Sequence, residues 1–291
     1  MFDLRIGLWT SNSDSWSELV EQWQLIEELG FDCAGIPDHF MPTGASIDAP
    51  FHEGWTLLAA LAAQTARLRV AMLVSGNTYR NPVLVAKMAT TLDHITGGRV
   101  DLGIGAGWYE PEHTAYSFPF PSARQRVDML SEAIDVIRSL MSGGRTNYAG
   151  THYSIVDAPF APIPVQQGGL PIMVGAQGSR MLRLVAEKAD IWNLNDTPDR
   201  MRALGEILND HCAKIDRDPE TIRWSAFSFP RILKEDPFSN LDAFRRLIAD
   251  YVDAGASEIT LKMPPPDSYG VLRQAAAILP ELRDEYRARR P

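Results

Sequence analysis

Short apolar runs alternate along the chain with longer segments whose apolar residues recur at helical spacing. Leu4–Thr10 reads as a first strand. Ser15-Trp16-Ser17-Glu18 has the spacing of a capping box and opens a helix that Gly30 stops. Cys33–Pro37 is a second strand, followed at once by Asp38-His39-Phe40 and a loop rich in Pro and Gly that runs to Glu53. Trp55–Ala66 has helical composition, Arg69–Ser75 is a third strand, and Asn81–Ile95 a helix with Pro82 suited to its first turn. Val100–Gly105 is a fourth strand. Arg124–Met141 is a helix with Val127, Leu130, Ile134, Ile137 and Leu140 on one face. Residues 143–170 break the alternation and read as an insertion, with a short hairpin around Tyr148–Tyr153.

Four further units follow: Pro171–Gly175 with Ser179–Lys188, Ile191–Leu194 with Pro198–Ile215, Ile222–Phe229 with Asn240–Asp253, and Ser257–Leu261 with Tyr269–Arg289. Eight strand–helix units predict a closed (β/α)8 TIM barrel with Leu4–Thr10 beside Ser257–Leu261; an open doubly wound sheet is the rival. One barrel needs about 250 residues, so the 291 residues are expected to form a single domain over 1–291.

Composition narrows the function. Apolar residues make up 45% and charged residues 22%, ordinary for a globular protein with a large core. Lys+Arg 28 against Asp+Glu 37 gives a net charge of −9, which disfavours a nucleic-acid binder. No apolar stretch reaches the ~18 residues of a membrane span, and the N-terminus does not read as a signal peptide; a cytoplasmic protein is expected. Cys33 and Cys212 supply neither a disulfide scaffold nor a thiolate zinc site. The six histidines show neither H-x-H nor H-E-x-x-H, so no metal is expected, and there is no G-x-S-x-G nucleophile elbow.

Barrel active sites lie where strands end at their carboxyl side. Asp38 and His39 follow strand two; His39 is a proton donor, a hydrogen bond to a cofactor ring, or a structural histidine, and Asp38 meets a ligand or caps its loop. Gly103-Ile104-Gly105-Ala106-Gly107-Trp108 ends strand four. It packs a planar ligand with Trp108 as a wall, or it makes a tight corner. Gly175-Ala176-Gln177-Gly178-Ser179-Arg180 is a glycine-containing turn into a helix, whose free N–H groups suit a phosphate; the bland reading is an ordinary strand–helix turn.

At these residues the chain resembles the bacterial luciferase-like flavin and deazaflavin monooxygenase superfamily, and within it the coenzyme F420-dependent oxidoreductases. The resemblance rests on Asp38-His39-Phe40, Thr78-Tyr79-Arg80-Asn81-Pro82, Gly97-Gly98-Arg99, Leu102 to Trp108, Pro119-Phe120-Pro121, Pro171 to Gly175 and Ala189 to Asn193. It implies a deazaflavin ring in the barrel mouth, near Asp38 and His39. It also implies a non-proline cis peptide within Leu73-Val74-Ser75-Gly76, with Asn77, Gly107 and Trp108 lining the ring. The cofactor phosphate would sit on Gly175 to Arg180, and residues 143–170 would cover the mouth. Two departures stand out. The turn after strand five lacks the family's commoner double glycine, and some sugar phosphate dehydrogenases of the family carry an acidic residue near Trp108, which is itself not ionisable.

The implied activity is hydride transfer between coenzyme F420 and a small organic substrate, with His39 as the proton partner. The first alternative is an FMN-dependent monooxygenase that uses reduced flavin and O2 with a partner reductase. The second is a non-catalytic flavin- or deazaflavin-binding protein. A homodimer is expected.

Overall fold

The computed structural model describes residues 2–43 and 47–289. Eight parallel strand positions close into a barrel. In chain order these are β1 (Arg5–Trp9), β2 (Cys33–Ile36), β3 (Arg69–Met72) with its short continuation β4 (Ser75–Gly76), and β5 (Val100–Gly105). After the excursion of an antiparallel hairpin, β6 (Gly144–Ala149) and β7 (Ser154–Phe160), come β8 (Ile172–Gly175), β9 (Ile191–Leu194), β10 (Arg223–Ser228) and β11 (Glu258–Lys262). The ring runs β3-β2-β1-β11-β10-β9-β8-β5, and β5 pairs with β3 to close it. Arg5 lies opposite Glu258, so the first and last strands are neighbours, as the closed barrel requires and an open sheet does not.

Helices clad the outside: α1 (Trp16–Glu28), α2 (Gly54–Ala62), α3 (Pro82–Thr96), the short α4 (Glu110–Ala115), α5 (Ala123–Met141), α6 (Ser179–Lys188), α7 (Pro198–Ala213), α8 (Leu241–Asp253), α9 (Tyr269–Ala277) and α10 (Leu279–Ala288). Their ends follow local chemistry. Ser15 and Glu18 form the reciprocal capping box of α1, which buries Leu19, Trp23 and Ile26 on one face. Asn81 caps α3 with Pro82 in its first turn, and Gly97 at φ 64° ends it in the left-handed conformation that glycine adopts without penalty. None of the helices among the described residues is long and apolar enough to cross a membrane.

Four elements depart from the expectation. The helix beginning near Trp55 stops at Ala62 rather than Ala66, because the Glu27 carboxylate takes the N–H groups of Ala66, Arg67 and Leu68 and turns the chain. The closing helix is two helices, since Pro280 has no N–H to continue the ladder past Ile278. Strand three is interrupted between Met72 and Ser75, where the Leu73–Val74 peptide is cis. Helix α4 had no counterpart in the sequence pattern.

Residues 143–170 are tied to α5 and α3. The hairpin packs against α5, where Glu132 accepts from the N–H groups of Thr151, His152 and Tyr153. Its return runs under α3: His94 bonds the Ile163 carbonyl, and Asp93 accepts from Val165 and Gln166. At the hairpin tip, the Tyr153 hydroxyl accepts from Asn77 Nδ2 at 3.2 Å.

The two barrel ends differ in kind. The amino end is plugged by ions: Arg5 bridges Asp101 and Glu258 at 3.2 Å each, and Arg69 also holds Asp101. Above this plug lies a layer of Trp9, Ala71, Leu73, Met173, Ile191 and Phe227, on which Val74 and Phe229 sit half-buried. The carboxyl end is therefore an apolar floor open to ligands. Its closeness depends on glycine. A Cβ at Gly103 would lie 1.8 Å from the Met72 carbonyl oxygen, and backbone cannot swing away as a side chain can. Gly103→Ala is expected to destabilise the barrel by about 3 kcal/mol, measured by urea denaturation. Gly178, with open space at its Cβ and φ −96°, should accept alanine with little change. Equal effects at the two positions would contradict this account of strand packing.

Candidate active site at the carboxyl end of the barrel

Five strand ends contribute. After β2, Asp38 is buried and His39 half-buried. Both Asp38 oxygens are occupied from within: Oδ2 accepts from Ser75 Oγ at 2.7 Å, Gly76 N at 3.1 Å and Arg80 at 2.6 Å, and Oδ1 accepts from Arg80 at 3.0 Å. Ser75 in turn accepts from the Trp55 indole N–H at 3.0 Å. Asp38 and Ser75 thus act as struts that pin the chain after the Leu73–Val74 bond, and their polar atoms face protein. This differs from a ligand-facing Asp38.

His39 is held by a residue the sequence reading passed over. Its Nδ1 lies 2.9 Å from Glu112 Oε2. Glu112, on α4, is fully buried and collects four donors: His39 and the Tyr79 hydroxyl on Oε2, and the N–H groups of Phe40 and Met41 on Oε1. Burial alone would raise its pKa; the bonds from His39, Tyr79 and Phe40 outweigh burial and hold it below the ordinary value. The Tyr79 hydroxyl is pushed well above its ordinary value by burial and by the same carboxylate, so it stays a donor. With an ionised acceptor opposite, His39 Nδ1 must carry the proton, and Nε2 is the ring nitrogen left for a ligand.

The neighbours after β5 are equally specific. Trp108, 61% exposed, stands edge-on to His39 with ring centroids 5.7 Å apart. Gly107 takes φ 80°, and a Cβ there would strike Thr78 Oγ1 at 2.5 Å. His113 has both nitrogens engaged, Nδ1 with the Tyr109 carbonyl at 2.8 Å and Nε2 with the Thr78 hydroxyl at 2.6 Å, and is a fixed strut. Glu110 is exposed.

The floor is the half-buried Val74 beside the buried Leu73. Built Cβ atoms at Gly105 and Gly175 would each lie 2.9 Å from Val74 Cγ2, and one at Gly103 would lie 3.2 Å from Cγ1. Gly76 likewise has no room beside the Tyr79 ring. Asn77 is buried, and its Oδ1 has no partner among the described residues. After β8, Ala176 is buried with its carbonyl bonded to Trp192 Nε1 at 3.0 Å, while Gln177 donates to the Asn195 carbonyl at 3.0 Å. Gly178 is the N-cap of α6 and offers no side-chain cap, so the first amides of that helix point outward unclaimed by a cap. Ser179 lies 3.2 Å from His211 Nε2, and Arg180 pairs with Asp128.

An apolar floor without side chains on three flanking glycines accepts a flat ring. A buried acceptor without a donor suits a ring N–H, and an uncapped helix N-terminus suits a phosphate. No group of three metal-ligating side chains occurs among the described residues.

Comparison with known proteins agrees with this geometry. The luciferase-like monooxygenase family model matches residues 2–290. An F420-dependent glucose-6-phosphate dehydrogenase of Nocardia farcinica is 34% identical over 194 residues, 65% of this chain and 56% of that protein. The chain thus spans about half the length of the curated relatives it matches. A solved F420-dependent secondary alcohol dehydrogenase, in complex with an F420–acetone adduct, superposes with a TM-score of 0.85 at 18% identity, covering 96% of this chain and 99% of that one. A coenzyme F420-dependent tetrahydromethanopterin reductase from Methanopyrus kandleri gives 0.81 at 17% identity over the same shares.

Glu112→Gln keeps size but sets an amide N–H2 among donors. The expected cost is about 1–3 kcal/mol at neutral pH, read by urea denaturation. The lowered pKa of the folded carboxyl fixes the pH dependence. Its contribution is complete above the ordinary value of 4.5 and is lost as pH falls from there through the lower folded value. The gap between wild type and variant should therefore shrink in acid; a gap that does not change with pH would contradict the ionised assignment.

Proposed function

The chain belongs to the luciferase-like monooxygenase family, and from that membership we propose that it is an oxidoreductase transferring hydride between the deazaflavin coenzyme F420 and a small organic substrate. The observation that carries the reading is the pairing of His39 with buried Glu112 beside an open apolar floor. The 34% identity to an F420-dependent dehydrogenase favours F420 over FMN.

The residues fit the coenzyme. Val74, with Gly103, Gly105 and Gly175 around it, would bear the ring, and Asn77 Oδ1 would take a ring N–H. The first amides of α6 at Gly178, Ser179 and Arg180 would hold the phosphate, with Gly107 and Trp108 as the side wall. When bound, the reduced coenzyme supplies a hydride. The chain supplies the proton side of the reaction. His39 Nε2 gives or takes the proton at the substrate oxygen or nitrogen, and Glu112 holds the imidazole in one tautomer and stabilises its charged form. Trp108, standing edge-on to His39, narrows the water around that nitrogen.

Two variants test the reading, each with fluorescence titration of F420 and of FMN. Gly178→Asp places a carboxylate where the phosphate belongs, yet aspartate is a good N-cap and the position has room. Coenzyme affinity should collapse while the melting temperature holds or rises slightly. His39→Ala should cut turnover by roughly 10²–10⁴-fold and change coenzyme Kd by only a few-fold. Tighter FMN than F420 binding, with dependence on a reductase, would move the protein to the monooxygenase alternative. Normal turnover in folded His39→Ala would remove His39 from the chemistry.

A further inference from the structure

The amino end of the barrel, opposite His39, carries a pocket of about 290 Å³ beside the ionic plug. It is bounded by residues at the starts of β1, β5, β9 and β10 and by the turn at Gly168 and Gly169 that leads into β8. Such a volume lies at the lower end of the small-molecule range and suits a ligand of few atoms. We propose that this pocket binds a small oxyanion, a carboxylate or phosphate group held by Arg223. The proposal stands apart from the oxidoreductase reading, which concerns the other end of the barrel.

Arg223, the first residue of β10, lines this pocket and is 5% exposed. Its Nη1 donates to the Asp3 carbonyl at 2.8 Å and the Ser257 carbonyl at 3.0 Å, and its guanidinium carbon lies 4.6 Å from the Phe2 ring centroid. These partners are all neutral. Among the described residues no carboxylate pairs with Arg223, and its hydrogen bonds to protein leave from Nη1 alone. Tying two carbonyls uses that one nitrogen; Nε and Nη2 remain for another acceptor. The carboxylates of the plug are already shared. Asp101 lies between Arg5 and Arg69, and Glu258 takes Arg5 and the Ser225 hydroxyl. Arg5, Arg69 and Arg223 thus stand against Asp101 and Glu258, one cation in surplus. Burial and the neighbouring Arg5 push the Arg223 pKa downward, further than Glu258 and Asp101 lift it. Arginine stays protonated all the same, so the interior holds a positive charge that is costly until an anion meets it.

The outer wall leaves this surplus in place. Arg138 pairs with Asp190 at 2.7 Å and donates to the Lys188 carbonyl, both through Nη2. Asp190 Oδ2 also accepts from the Ile172 N–H. The carbonyl end of α6, whose dipole would repel an anion, is covered by Arg217 on Ala186 and Ala189 and by Arg138 on Lys188. Gly168 and Gly169, at φ 83° and 94°, leave the entrance free of side chains, and a Cβ at either would meet nothing within 4 Å. The chain as a whole carries −9, so a buried positive surplus behind an open entrance is a local exception, and it selects an anion. Carboxylate and phosphate share the oxygen geometry that a guanidinium edge accepts.

The test titrates the full chain at fixed pH and ionic strength with inorganic phosphate and, separately, with acetate, and follows backbone amide signals by NMR. The signals of Gly168, Gly169 and Leu170 report this pocket. Those of Gly178 and Ser179 report the coenzyme end, where phosphate is also expected. The first set should shift saturably, and the anion that binds tighter identifies the group as phosphate or carboxylate. Arg223→Gln keeps a donor for the two carbonyls and removes the charge. It should weaken the anion about tenfold or more at the first set and leave the response of Gly178 and Ser179 unchanged, which also shows that the variant is folded. Arg138→Gln, at the half-exposed outer wall, should weaken the anion a few-fold by leaving Asp190 uncompensated. First-set signals that do not shift, that shift without saturating, or that respond equally in wild type and Arg223→Gln would overturn the site. Should Arg223→Gln not fold, Arg138→Gln decides alone, and an unchanged affinity there overturns the site.

Discussion

Glu112 goes into the protein interior as a charged carboxylate because four donors converge on its two oxygens, two on each. Burying a carboxylate without partners costs far more than a small domain's net stability, so the four bonds are a condition of the fold at this end of the barrel. They also have a geometric consequence. The donors come from the loop after β2 and the loop after β4, while the acceptor sits on α4, so one side chain locks three segments. A parallel arrangement stands beside it, where Asp38 ties the same two loops through Ser75, Gly76 and Arg80. The mouth is therefore a set of loops held rigid by two buried acids, and His39 is aimed by one of them.

Rigidity at the rim is matched by emptiness at the floor. Gly103, Gly105 and Gly175 surround Val74 without contributing side chains, and two of them are positions where a Cβ would collide with Val74. The result is an apolar surface reached from solvent, bounded by Trp108 on one side and by the uncapped start of α6 on another. Packing that lets strands approach closely and packing that leaves room for a flat ligand are the same packing here.

Much of the barrel was legible from local pattern. Short apolar runs, the capping box of Ser15 and Glu18, Pro82 in a first helical turn and stops such as Gly30 are nearest-neighbour signals, and the strands and helices built on them are in place. The strand-end motifs led to His39 and to the α6 turn for the same reason. Glu112 escaped because its role is non-local. Its helix is short, contains Pro111 and lacks a repeated apolar face, and its donors lie 33 to 73 positions earlier in the chain. Asp38 was visible as a residue but not as a saturated one, since Arg80 reaches it only in three dimensions. The course of residues 143–170 depends on Glu132 and Asp93, whose carboxylates cap backbone far from them in sequence. A cavity of about 830 Å³ between the loops after β1, β10 and β11 and the helices α1 and α9 is assembled from segments far apart in the chain and leaves no mark on any one of them.

Glu112 fixes the His39 ring, and the imidazole 15N shifts of His39 measure that directly. In the neutral ring of the wild type, the proton should reside on Nδ1 as a single tautomer, leaving Nε2 free to accept. In Glu112→Gln the amide offers a donor as well as an acceptor, and the ring should become a tautomer mixture. A neutral wild-type ring protonated on Nε2, or spectra that do not change on losing the carboxylate, would contradict it.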